Sequence, residues 1–144
     1  MEIQKIPQDA ELVIFDFYGP LSVESDGDLK LRDNADKLIF RLKLQSKKMA
    51  ISSTSHVEEI ISFPWFATIG VFMNGVYGKE HVVDNGEAKY KDLGKICQDQ
   101  GVKPEKAVFI ADDYNGVDRR SAERFGIPFI RVTSENTDLS YLLN

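Results

Sequence analysis

The sequence has one cysteine, Cys97, and two histidines, His56 and His81. A single thiol excludes an internal disulfide framework and a cysteine-rich zinc site. Two histidines offer little for a multi-histidine metal centre, and both are expected at the surface. Bases are the minority charge: 18 Lys and Arg stand against 23 Asp and Glu, a net charge of −5. With no basic excess to neutralise phosphates, a general nucleic-acid binder is not expected. Apolar runs fall far short of a membrane span. The opening residues, Met1-Glu2-Ile3-Gln4-Lys5, lack the basic start and apolar stretch of a secretory signal. The expectation is a soluble, cytoplasmic protein with no membrane partner. Hydrophobic residues make up 42% and charged residues 28% of 144, enough for one buried core, and no linker or repeat divides the chain. Residues 1–144 are read as a single domain.

The run Leu12-Val13-Ile14-Phe15 stops abruptly at Asp16 and reads as a strand buried on both faces. Ser25-Asp26-Gly27-Asp28, between alternating Leu21/Val23 and Leu29/Leu31, predicts a small hairpin. Residues 35–44 have helical spacing, with Asp33 or Asn34 as cap. Met49-Ala50-Ile51 predicts a second long strand, ending in Ser52-Ser53-Thr54-Ser55. Ser55 is a candidate cap for a helix carrying Val57, Ile60 and Ile61, which Pro64 stops. Ile69-Gly70-Val71-Phe72-Met73 is the third strand candidate; residues 74–86 read as loop with a possible hairpin. Residues 89–100 read as a helix closed by Gly101, residues 107–111 as the fourth strand. A helix over 119–125, a strand over 128–132 and a short helix over 139–143 complete the chain. Alternation of this kind predicts an α/β fold, a parallel sheet with helices on both faces and a small hairpin flap.

In such sheets ligands bind beyond the carboxyl ends of the strands. The first strand ends in Asp16, the second in Ser52, and the fourth in Asp112-Asp113. Ser53 or Thr54 could take the place of Ser52. Lys89 and Lys91 both precede the fourth strand, and either could supply an ammonium. Carboxylates there can bind Mg²⁺ through oxygen, and one can act as a nucleophile. The hydroxyl and the lysine can hold an anionic group and stabilise developing charge.

Taken in order, these segments resemble the four motifs of the haloacid dehalogenase superfamily. The first, an apolar strand followed by Asp-x-Asp-Gly-Thr-Leu, is matched by Val13-Ile14-Phe15-Asp16-Phe17-Tyr18-Gly19-Pro20-Leu21. The second, an apolar strand ending in Ser or Thr, is matched by Met49-Ala50-Ile51-Ser52. The third is a lysine, matched by Lys89. The fourth is matched by Val108-Phe109-Ile110-Ala111-Asp112-Asp113, with Asp118 following. The resemblance implies a three-layer Rossmann-like fold. It also implies Asp16 as nucleophile, Ser52 and Lys89 on the phosphoryl oxygens, and Mg²⁺ held by Asp16, the Tyr18 carbonyl and Asp112, supported by Asp113. Residues 21–47 leave no room for a helical cap, so the chain resembles the minimally capped branch, which includes small sugar-acid and magnesium-dependent phosphatases.

Two positions depart from the pattern. Tyr18 replaces the aspartate that serves as general acid and base in the family's phosphatases, and Pro20 replaces threonine. The function implied is a Mg²⁺-dependent phosphatase acting on a small phosphorylated metabolite through an aspartyl-phosphate. Tyr18 and Pro20 favour an alternative: a catalytically degenerate domain that binds a phosphorylated ligand or a protein. Dehalogenation, whose branch carries Asp-x-Tyr-Gly but normally also a helical cap, is the third reading. The open site implies a homo-oligomer, with the hairpin near Asp26-Gly27 and the Trp65-Phe66 pair as candidate contacts.

Overall fold

The computed structural model describes residues 1–133 and 138–143. The chain runs through β1 (Leu12–Asp16), a hairpin of β2 (Ser22–Ser25) and β3 (Asp28–Leu31), α1 (Ala35–Leu44), β4 (Lys48–Ser52) and α2 (Val57–Ile61). It continues with α3 (Ala67–Gly70), β5 (Gly75–Tyr77), a second hairpin of β6 (Val82–Asp84) and β7 (Lys89–Lys91), and α4 (Leu93–Gln100). The last elements are β8 (Ala107–Ala111), α5 (Val117–Phe125) and β9 (Phe129–Arg131). Among the described residues no helix is long and apolar enough to cross a membrane.

Five strands form one parallel sheet in the order β5-β4-β1-β8-β9. Every residue of β1 and of β8 is buried. Successive side chains of a strand point to opposite faces, and β1 obeys this. Val13 and Phe15 join the core containing Ile39 and Leu42 of α1. Leu12 and Ile14 join the core containing Leu93 and Ile96 of α4 and Ala122 of α5. A continuous apolar run was therefore required: both faces of the strand are covered. The winding reverses between β1 and β8, and the crevice outside their carboxyl ends is where such sheets bind ligands.

The first hairpin turns on two residues with left-handed backbone, Asp26 (φ 52°) and Gly27 (φ 81°), the conformation a tight two-residue turn needs. Trp65 and Phe63 stack on Phe17, and Trp65 Nε1 donates to Leu29 O at 3.1 Å. The aromatic pair's tryptophan thus fastens the hairpin to the end of β1.

Several expectations fail locally. The third strand is Gly75–Tyr77, not the apolar run at 69–73; Ile69 is instead the buried residue of α3. A short apolar run fits a buried helical turn as well as a strand. The helix expected from Lys89 begins at Leu93. Asp92 caps it by accepting from Lys95 N at 3.1 Å, and Lys89–Lys91 is a strand. Neither Asn34 nor Ser55 caps through its side chain: Asn34 Nδ2 donates to Asp138 Oδ2 at 2.9 Å, and His56 occupies the position before α2.

Candidate active site

β1 delivers Asp16, nearly buried, to the crevice. Its Oδ1 accepts from Phe17 N at 3.0 Å and from Lys91 Nζ at 2.9 Å. Lys91, at the end of β7, is itself buried and also meets Asp118 Oδ1 at 2.8 Å and the Ser52 carbonyl at 3.3 Å. Its backbone N–H donates to Ser121 Oγ at 2.8 Å, and Ser121 Oγ donates to Val117 O at 2.7 Å, so α5 anchors the lysine. Burial works against the Lys91 charge, but Asp16 and Asp118 outweigh it and hold the ammonium above its ordinary range.

β8 places Asp112 at the same edge. One oxygen each from Asp16, Asp112 and Asp118 lies within 4.8 Å of the others. Burial raises the Asp16 carboxyl above the ordinary carboxylate range, the Lys91 charge opposes this, and Asp118 and Asp112 add to it. Asp112 is raised too, by burial and then by Asp118. Three acids facing one ammonium leave negative charge uncompensated in a poorly hydrated place, which a bound cation would relieve. Hard oxygen donors in this number suit Mg²⁺, so the residues fit that ion. Gly19 lets the first loop approach: its φ is +108°, and a Cβ there would stand 2.9 Å from Asp112 Oδ2. Buried Arg32 ties this loop down, its Nε donating to Gly19 O at 2.9 Å.

A cavity of about 290 Å³ opens over these groups, with Asp16, Tyr18, Thr54, Lys89, Lys91 and Asp112 in its wall. Of the residues singled out in the sequence, Asp16 and Asp112 converge. Lys89 reaches the cavity but is exposed; the ammonium on Asp16 belongs to Lys91. Asp113 does not join the carboxylates. Its backbone is left-handed (φ 57°), and its side chain accepts from Arg119 N at 3.0 Å and pairs with Arg119 Nε at 3.4 Å. Ser52 is fully buried, with Oγ on His81 Nε2 at 2.7 Å, while Thr54 lines the cavity. His81, expected at the surface, is buried, and its other ring nitrogen bonds the Gly78 carbonyl. A carbonyl only accepts, so Nδ1 carries the proton and Ser52 donates to Nε2.

Tyr18 stands where the acid was missed. Its hydroxyl donates to Glu59 and its ring meets Phe17 edge-on at 4.9 Å. Burial, then the bond to Glu59, pushes the phenol up to about 12. The residue missed as a site member is Asp118. The only signal for it was an acid following the fourth motif, and its place in the first turn of α5 brings its carboxylate to Lys91.

No family model matches the sequence, and no curated protein matches it. Solved structures do match the fold. A HAD family enzyme from Bacteroides thetaiotaomicron, in complex with magnesium and inorganic phosphate, aligns with TM-score 0.70 and 11% identity over 93% of this chain and 99% of that one. CbbY from Rhodobacter sphaeroides, in complex with phosphate, aligns with TM-score 0.65 and 14% identity over 90% and 89%. A HAD-superfamily hydrolase of subfamily IA from Geobacter sulfurreducens gives 0.62 and 16% over 84% and 88%. The chain shares the fold of these solved structures.

Proposed function

We propose that the protein is a Mg²⁺-dependent phosphohydrolase of the haloacid dehalogenase type, acting on a small phosphate ester. The observation that carries this reading is the convergence of Asp16, Asp112 and Asp118 at the sheet's switch point, with Lys91 paired to Asp16 and Asp118. Both Asp16 hydrogen bonds fall on Oδ1, which assigns attack on phosphorus to Oδ2. An Asp16–phosphorus bond forms as the ester bond breaks, and water then hydrolyses the aspartyl-phosphate. Lys91, fixed by two carboxylates and a carbonyl, orients the nucleophile and neutralises charge on the phosphoryl oxygens. A Mg²⁺ ion held by Asp16, Asp112 and Asp118 would offset their charge and polarise a phosphoryl oxygen. The fold's magnesium- and phosphate-bound neighbour supports this ion and this group.

The test is hydrolysis of a panel of phosphate monoesters with and without Mg²⁺, with mass-spectrometric trapping of phosphate on Asp16. Metal-dependent release that disappears in Asp16→Asn is expected. Release that survives Asp16→Asn would sink the nucleophile assignment. A second reading, a binding module that turns over little, is favoured by Tyr18, whose hydroxyl is tied to Glu59 where a proton donor would serve the leaving group. That reading predicts phosphate binding with no phosphorylated Asp16.

A further inference from the structure

The chain has a net charge of −5, yet cations gather beside the nucleophile's cavity. A second cavity, of about 390 Å³, is lined by Ala88, Lys89, Tyr90, Arg120, Glu123 and Arg124. Lys89 belongs to both walls, so the two cavities adjoin. Three of the six lining residues are bases and only Glu123 is an acid. The ion pairs among the described residues engage Lys91, Lys95, Lys106 and Arg119; none takes Lys89, Arg120 or Arg124.

Both arginines are placed without using their N–H donors on a carboxylate. Arg124 lies over the Tyr90 ring, its Cζ 3.9 Å from the centroid, a stacking that leaves the guanidinium edge available. Arg120 runs past Gly116, where a Cβ would come within 3.0 Å of Nη1. The two stand at i and i+4 on α5 and so share one face. Like charges at that spacing destabilise a helix. The stacking on Tyr90 accounts for one guanidinium face, but not for a second like charge one turn away, which a bound anion would offset.

We propose that this cavity is a second anion site, which takes the far end of the substrate. The substrate class is then a phosphate monoester that carries a second phosphate or a carboxylate. This rests on the reading of Asp16 and Lys91 as the phosphoryl site. Lys89 stands at the junction, between the phosphoryl group and the remote anion. Arg120 and Arg124 supply the planar donor edges that suit phosphate or carboxylate oxygens.

Calorimetry with unhydrolysable probes in Mg²⁺ tests it. The probes are α,ω-alkane bisphosphonates of increasing length, the matching phosphonocarboxylates, and the matching alkyl monophosphonates. At the best length a doubly anionic probe is expected to bind at least about tenfold tighter than the monophosphonate, the worth of one charge-assisted bond. Whichever double anion wins identifies the remote group. The pair Arg120→Gln and Arg124→Gln should abolish the preference, leaving monophosphonate affinity and melting temperature in place. Equal binding of single and double anions by the parent protein overturns the second site and leaves the phosphoryl site standing. So does a preference that persists in the double variant. Binding of the double anions that needs the arginines, with no monophosphonate binding at all, would keep the anion site and remove the phosphoryl reading.

Discussion

On the proposed function, Tyr18 stands where a proton donor to the leaving group would serve. Its phenol, held up to about 12 and committed to Glu59, is a poor proton donor for an alkoxide. Tyr18→Asp puts a carboxyl two residues after the nucleophile and removes the partner of Glu59. The Glu59 charge beside it then favours a protonated Asp, the form an acid needs. Hydrolysis of alkyl phosphates should rise by up to about 10²-fold, the lower end of the usual worth of general acid catalysis. Aryl phosphates, whose leaving groups need little protonation, should gain much less. Pro20 fixes its own φ, but the loop is also set by Gly19 N donating to Ser22 O at 2.8 Å. Pro20→Thr is therefore made in the same background, and no gain in the double variant would mean that the missing acid is not what limits hydrolysis. His81 carries a second residue-scale consequence. Burial lowers its pKa below 6.5; the Gly78 carbonyl opposes this, the Lys91 charge adds to it, and Glu80 and Asp92 oppose it. The imidazole therefore folds neutral, while below about 6.5 the unfolded chain takes up the proton. Stability from this site is present above that pH and is lost as pH falls from there to the lowered value of the folded imidazole. Denaturant titrations across this range should show a steeper acid loss for the parent than for His81→Asn; equal slopes would mean that His81 protonates freely in the fold.

At the scale of elements, strands buried on both faces were the most legible feature. β1, β4 and β8 each read as an unbroken apolar run ending in Asp or Ser, because a parallel sheet covered on two sides permits nothing else. The carboxylates at those ends were legible for the same reason: chemistry begins where burial stops. β5 and β7 were not legible. Each has three residues, and β5 is an edge strand half-exposed along its length, so neither carries a run or an alternation long enough to see. Misreading β7 as helix left Lys89 and Lys91 undecided. On a helix the two would have diverged by about half a turn, whereas the hairpin carries the chain so that Lys91 ends under Asp16. Asp113 was misplaced because only its backbone, turned left-handed after Asp112, sends the carboxylate to Arg119 instead of the crevice. That turn has no signature in residue type. His81 was read as surface because a lone histidine in a polar stretch gives no hint of a buried hydroxyl partner from another strand.

Across the whole molecule, the candidate metal residues join parts distant in sequence. Asp16 ends β1, Asp112 follows β8, Asp118 lies on α5, and Lys91 ties the β6–β7 hairpin to two of them. Without a cation their mutual repulsion works against the packing of these elements. A cation that binds only the folded arrangement must stabilise the molecule, by about 2.7 kcal/mol at a concentration a hundred times its Kd. For a chain of this size each kcal/mol moves the melting temperature by roughly 2–4 °C. Saturating Mg²⁺ should therefore raise it by several degrees. Asp112→Asn separates this from a general salt effect, because it changes two quantities in opposite ways. Removing one of three crowded acids should leave the metal-free variant at least as stable as the metal-free parent, since Asp112 is a carboxyl that burial and Asp118 already disfavour as an anion. The same substitution should erase most of the Mg²⁺ response. Differential scanning calorimetry of both proteins, with EDTA and with Mg²⁺ at matched ionic strength, reads both quantities. A variant that is less stable without metal yet keeps the full Mg²⁺ shift would show that Asp112 serves the packing of the first loop and that the cation binds elsewhere.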